Sequence, residues 1–270
     1  CSGNRFAYRH ADWFINWTLD DYVELNREQQ RQFDLVLADF LSWHCTEELP
    51  AYGVYLHDLS AALTPDVAER FSAEVLQSFS DRTLALWQRL MLRAVDDSLP
   101  MLRGLDSAQV QYLLAELKDK NQKFHKEFVT LDAKALHKLR VKRVRDALRR
   151  WAGSASPEQM QLADAWAQGA DNVYGLIYER RETWREQLAA VMAGRDGPSF
   201  GLELKGLLLH VDRLYSAEEK ARLLANQGVA QQFMLSLEAS LSERQRRHLL
   251  DELAKITEDV ERLSKLDCQY

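Results

Sequence analysis

The chain has 270 residues, of which 46% are apolar and 10% aromatic, with only five prolines. That composition excludes a disordered chain and supplies a sizeable core for one large domain or two modest ones. A net charge of −6 argues against nucleic acid as a partner, and no run of about 18 apolar residues is present to span a bilayer. Nearly every segment repeats its apolar residues at helical spacing, as in Phe33, Val36, Leu37, Phe40, Leu41 and His44. Helices are expected near residues 4–18, 27–49, 51–62, 65–93, 107–129, 132–152, 157–193, 200–212, 216–227 and 243–266. They form one all-α domain over residues 4–270, preceded by a short segment 1–3, with a lobe boundary near 194–199. Pro50 is expected to kink or break the second helix, and Thr64-Pro65 and Ser156-Pro157 to open helices with proline at the first position.

The most regular local signal is at the helix starts. Asn26, Asp106, Ser156 and Ser242 are each followed three residues later by glutamine, and Ser216 by Glu219. In such a box the cap oxygen accepts a backbone N–H near N3, and the N3 side chain accepts the cap's own N–H. Leu25…Gln29, Leu105…Gln109 and Leu241…Gln245 also resemble the L-T-x-x-Q pattern of small periplasmic stress chaperones. A hydrophobic staple with a capping box accounts for the same residues. The four starts are 80, 50 and 86 residues apart, too uneven for a solenoid.

Taken from its beginning, Cys1-Ser2-Gly3-Asn4 resembles the start of a mature bacterial lipoprotein, in which the cysteine carries acyl chains. Ser2 after the cysteine resembles the outer-membrane sorting pattern. The following segment is dense in aromatics: Tyr8, Trp13, Phe14, Trp17 and Tyr22. They read first as core, with one or two exposed, and second as an interfacial contact beside the anchor. Asp12, Asp20, Asp21 and Glu24 read as caps or salt-bridge partners.

Trp43-His44-Cys45-Thr46-Glu47-Glu48-Leu49-Pro50 places His44 and Glu47 one turn apart. A di-iron bundle needs two Glu-x-x-His units and two further glutamates, whereas here one pair stands in reversed order. No metal, cofactor or catalytic residue is expected, because no zinc, phosphate-loop or nucleophile-elbow pattern is present. Cys45 and Cys268 either pair in an oxidising compartment or remain two separate thiols. From Lys118 to Arg150, twelve Lys and Arg stand against four Asp and Glu, so this window is +8 and the remainder −14. Lys138, Arg140, Lys142, Arg145 and Arg149 are candidates to touch anionic headgroups, peptidoglycan or an acidic partner. Internal pairing with the acidic remainder is the alternative.

Two motifs carry a wider resemblance. Ala7-Tyr8-x-x-Ala11-Asp12-Trp13-x3-Trp17-x-Leu19-Asp20-Asp21-Tyr22 and Trp43-His44-x2-Glu47-Glu48-Leu49-Pro50-x-Tyr52 are similar to a proteobacterial outer-membrane lipoprotein family of unknown function. The resemblance covers nearly the whole chain and implies a lipidated Cys1. Cys45 departs from it, standing where a polar or charged residue is expected, so a Cys45–Cys268 bridge would be peculiar to this protein. The resemblance supplies an address but no activity.

The expected function is that of a non-enzymatic lipoprotein, anchored in the outer membrane by N-terminal acyl chains and facing the periplasm. It would bind or support another envelope component through the basic helix and the region of Trp43, His44, Glu47 and Glu48. A holdase with a concave apolar surface is the alternative, followed by a cell-wall enzyme acting through Glu47 or Glu48.

Overall fold

A computed structural model describes residues 8–64, 71–265 and 268. The fold is all-α, with no strand among the described residues. In chain order the helices are α1 (Ala11–Asp20), α2 (Arg27–Trp43), α3 (Leu49–Ala62), α4 (Ala73–Arg103), α5 (Ser107–Phe124), α6 (Ala133–Trp151), α7 (Pro157–Gly169), α8 (Tyr174–Ala193), α9 (Phe200–Leu209), α10 (Ala217–Ala239) and α11 (Glu243–Ser264). Wide π-turns at His44–Glu48 and His125–Val129 follow α2 and α5, and a 3₁₀ turn, Val211–Leu214, follows α9. α3 packs on α11, α6 on α7, α5 on α8, and α4 on both α2 and α9. At about 1.5 Å per residue, the 31-residue α4 is about 46 Å long.

Several boundaries differ from those read in the sequence. Pro50 neither breaks nor ends the helix: α2 runs into α3 through the π-turn, where Leu49 N–H bonds His44 O. The extra residue falls in the turn just before the proline, where its ring would otherwise press on a carbonyl four residues back. The expected helix 65–93 instead starts at Ala73 under a Ser72 cap and continues through Pro100. The expected Thr64-Pro65 start lies outside the described residues. The stretch 157–193 is two helices, because Ala170 turns extended and Asn226 Oδ1 accepts the Asp171 N–H from a distant helix. Helix 216–227 runs on to Ala239.

All five expected capping boxes are present. Four of their side chains do more than cap. Gln29 Nε2 donates to Gly104 O (2.9 Å) and Gln109 Oε1 (3.0 Å), while Gln109 Nε2 donates to Glu24 O (2.6 Å) and Gln29 Oε1 (2.7 Å). At the other end, Gln159 Nε2 donates to Ser240 O (3.3 Å) and Gln245 Oε1 (3.0 Å). Gln245 Nε2 returns bonds to Ser154 O (3.1 Å) and Gln159 Oε1 (2.9 Å). In every case the acceptor carbonyl lies two residues before the partner helix's N-cap. Four helix hairpins are thus clasped in two pairs with reciprocal bonds, α1–α2 with α4–α5 and α6–α7 with α10–α11. Gly153 (φ 74°) turns the chain at the end of α6 and leads into Ser154 of the second clasp. A Cβ there would sit 3.3 Å from His248 and hold a strained left-handed backbone. The uneven spacings of the four starts conceal two pairs, with separations of 80 and 86 residues.

The main core closes on the first clasp. Val95, Leu105, Met192, Phe200, Leu204 and Leu207 pack together, with Met192 and Phe200 wholly buried. The loop 194–199 is bound into this core side: Arg195 Nε donates to Leu105 O, and Trp184 Nε1 on α8 donates to Leu207 O on α9.

Candidate functional site

The eye-catching run at 43–50 lies on the π-turn joining α2 to α3. His44 is half-buried, with its Nδ1 2.9 Å from the Tyr8 hydroxyl and the Tyr52 ring edge-on at 5.5 Å. Burial lowers its pKa, against the pull of the Glu48 charge. Glu48 is fully buried, with Arg89 Nε 2.6 Å from Oε1, while Glu47 is exposed. The adjacent carboxylates therefore face opposite environments, and Glu48 cannot belong to a contact surface as expected. Tyr52 has its pKa raised by burial and then by Glu48. Trp43 is half-buried under the Arg93 guanidinium, 5.5 Å from its ring centroid. Cys45 and Cys268 are joined in a disulfide, with Cα atoms 5.7 Å apart, that ties this turn to the chain beyond α11. Leu49 and Leu263 pack against it.

On α6, Lys138, Lys142, Arg145 and Arg149 are exposed, and Lys142 is paired with Asp146 at 2.7 Å. Arg140 is not part of that face. Its guanidinium donates to Ala167 O (3.0 Å), Ala170 O (2.7 Å) and Asp171 O (2.9 Å), closing the carbonyl end of α7. A cation there meets the negative end of a helix dipole as well as orphan acceptors. Its place among the expected contact residues is corrected accordingly.

The aromatics of α1 also depart from expectation. No residue of α1 is buried. Trp13 and Trp17 are 59% and 62% exposed, their rings parallel to within 5° at 6.4 Å, with Phe14 edge-on to Trp13. Cys1 and the segment 1–3 lie outside the described residues.

A feature without sequence warning adjoins the second clasp. There α3, α4, α6, α10 and α11 surround an open hollow of about 550 Å³, lined by Leu59, Leu76, Phe79, Leu148, Phe233 and Leu237 among others. A second apolar recess of about 380 Å³ adjoins it between α3, α4 and α11, sharing Tyr55 and Thr83 and running past Trp87, Ile256 and Val260. Helical periodicity cannot show whether apolar faces meet or the helices stand apart.

Among the described residues, no cluster of three or more His, Cys, Asp or Glu side chains could hold a metal ion. Among the same residues, no helix is long and apolar enough to cross a membrane. A family model described as "Family of unknown function (DUF6279)" matches residues 21–220. No curated protein and no solved structure matches the chain.

Proposed function

The chain belongs to the DUF6279 family of unknown function, which brings no activity with it, and we propose from its surfaces that it is a membrane-associated envelope protein acting by binding rather than by catalysis. In this reading Cys1 is lipidated, the body stands on the periplasmic side of a Gram-negative outer membrane, and an envelope component docks on it. The observation that carries the proposal is the exposed, stacked pair Trp13 and Trp17 near the proposed anchor. Tryptophan rings are enriched at the headgroup level of bilayers, where an apolar face and a polar N–H are both accommodated. Lipid and aromatic helix would then dock together, since a single acyl chain holds only marginally. Two further features agree. Exposed cations of α6, Lys138, Lys142, Arg145 and Arg149 among them, offer a face for an anionic partner, and the Cys45–Cys268 bridge suits an oxidising compartment.

Fractionation of cells carrying the full-length protein tests the address. Cys1→Ala should release it from the membrane fraction, and Trp13→Ser/Trp17→Ser should weaken rebinding to vesicles. Crosslinking in cells followed by mass spectrometry should recover an envelope partner, and recovery of none above background would count against the binding role.

The holdase reading draws support from one observation, the concave apolar hollow. Suppression of light scattering by an unfolded client at equimolar protein would favour it, and none would dispose of it.

A further inference from the structure

The geometry points to the hollow beside the second clasp as a binding site for a long-chain fatty acyl group with an anionic head. This inference is independent of whether the chain is anchored. Three observations converge on that chemistry.

The first is volume. About 550 Å³ of apolar space lies within the range of sites that bury small ligands. It is more than three times the roughly 150 Å³ cavity that takes one benzene. The 380 Å³ recess adjoins the hollow, and the hydrogen-bonded Tyr55 and Thr83 line both. An almost wholly apolar space of this size accommodates an alkyl chain.

The second is the state of its polar groups. Ser80 Oγ donates to Leu76 O, and Thr83 Oγ1 donates to Phe79 O while lying 2.9 Å from the Tyr55 hydroxyl. Glu238, the carboxylate on the lining, is held by Arg246. These groups already have partners, so peptide amides entering the hollow would give up water for nothing. Methylene groups carry no such cost and gain roughly 0.8 kcal/mol each on burial. The lining therefore selects an acyl chain over an unfolded client.

The third is charge beside the hollow. Arg145 and Arg149 follow Val144 and Leu148, which line the hollow, and both are exposed and outside any close ion pair among the described residues. Arg82 lies over the lining rings of Tyr55 and Phe79 at 5.3 and 5.4 Å, bonded to Asp58. An apolar interior with Arg82 over its lining rings and exposed arginines on the neighbouring positions of α6 matches a ligand with an alkyl tail and a carboxylate or phosphate head.

The test uses the purified full chain and the fluorescent fatty acid cis-parinarate. Saturable binding displaced by palmitate is expected, and no saturable signal would overturn the proposal. Ala147→Trp fills the rim from an exposed lining position and should weaken binding about tenfold without changing the unfolding midpoint. Unchanged affinity in a folded variant would also overturn it. Arg145→Glu/Arg149→Glu should weaken palmitate severalfold and hexadecanol by less than about twofold; equal loss for both would remove the anionic head from the proposal. Mass spectrometry after incubation with phosphatidylglycerol vesicles distinguishes the source. Retained phospholipid identifies a membrane lipid, and retention of added palmitate alone identifies the free acid. Displacement of parinarate by an apolar peptide but not by palmitate would overturn the acyl reading in favour of a client site.

Discussion

The two glutamine clasps use the same hydrogen bonds and close on opposite interiors. At the first, Leu105 sits directly before the N-cap Asp106 and is buried against Met192, Phe200 and Leu204. At the second, Leu241 sits directly before the N-cap Ser242, is half-buried, and faces the hollow. The difference lies in what enters between the paired hairpins. α8 and α9 fill the first end, whereas the lining helices of the second leave open space. Capping and amide pairing thus fix how helix ends meet, and large side chains delivered from other elements decide whether the interior is filled. A frame whose polar groups are satisfied at both ends can hold a solid core at one and a ligand-sized space at the other.

The largest expected effect tests that contrast with one substitution at equivalent positions. Leu105→Ala should cost about 3–4 kcal/mol, because it opens a cavity in close-packed surroundings. Leu241→Ala should cost about 1 kcal/mol, because it enlarges a space already open. Urea unfolding of both variants measures the two, and similar costs would abolish the distinction between a filled end and a hollow one. Next is the bridge. Cys45→Ala/Cys268→Ala should remove about 2–4 kcal/mol through the long loop it closes. Hydrogen exchange should rise along α3 and α11, which wall the hollow, and remain unchanged around Phe200. Uniform loosening would show that the two ends share their stability.

The clasps themselves rank third. Gln159 is wholly buried and Gln245 nearly so, whereas Gln29 and Gln109 are half-buried. Gln159→Ala strands the Gln245 amide and Ser240 O out of water and should cost about 2–3 kcal/mol. Gln29→Ala lets water replace the lost partner and should cost about 1 kcal/mol. A double-mutant cycle on each pair measures the coupling directly. Equal couplings would mean that burial does not distinguish the clasps.

What could be read from the sequence follows how local each interaction is. A capping box is complete within four residues, so all five were legible. The glutamine pairs were not, because the same four residues look identical whether or not a second box lies opposite. Pro50 carried a real signal, but the helix answered it with one extra residue in the preceding turn. The break after Gly169 depends on Asn226, and Arg140 turns from the basic face to close α7, so both are settled by partners far along the chain. For Cys45 and Cys268, two cysteines hold no spacing information beyond their number. The hollow was the least legible feature. A stripe of Val144, Leu148 and Trp151 reads the same whether it meets another side chain or empty space.

The smallest expected effect comes from His44, on the turn that leads from the filled end into the wall of the hollow. Burial holds its pKa below the ordinary value of about 6.5, with Glu48 pulling weakly the other way. The unfolded chain therefore takes up a proton at a pH where the native protein still resists it. Stability from this residue is complete above about pH 6.5 and declines as the pH falls through that value towards the lower native pKa. Between pH 7 and 5.5 the wild type should lose more stability than His44→Phe, by less than about 1 kcal/mol. The variant also lacks the bond to Tyr8, but that offset is the same at both pH values and leaves the slope as the informative quantity. Parallel slopes would show that the turn admits a proton freely. Divergent slopes, with the extra exchange confined to α3 and α11, would place the pH-sensitive element at the hollow end alone.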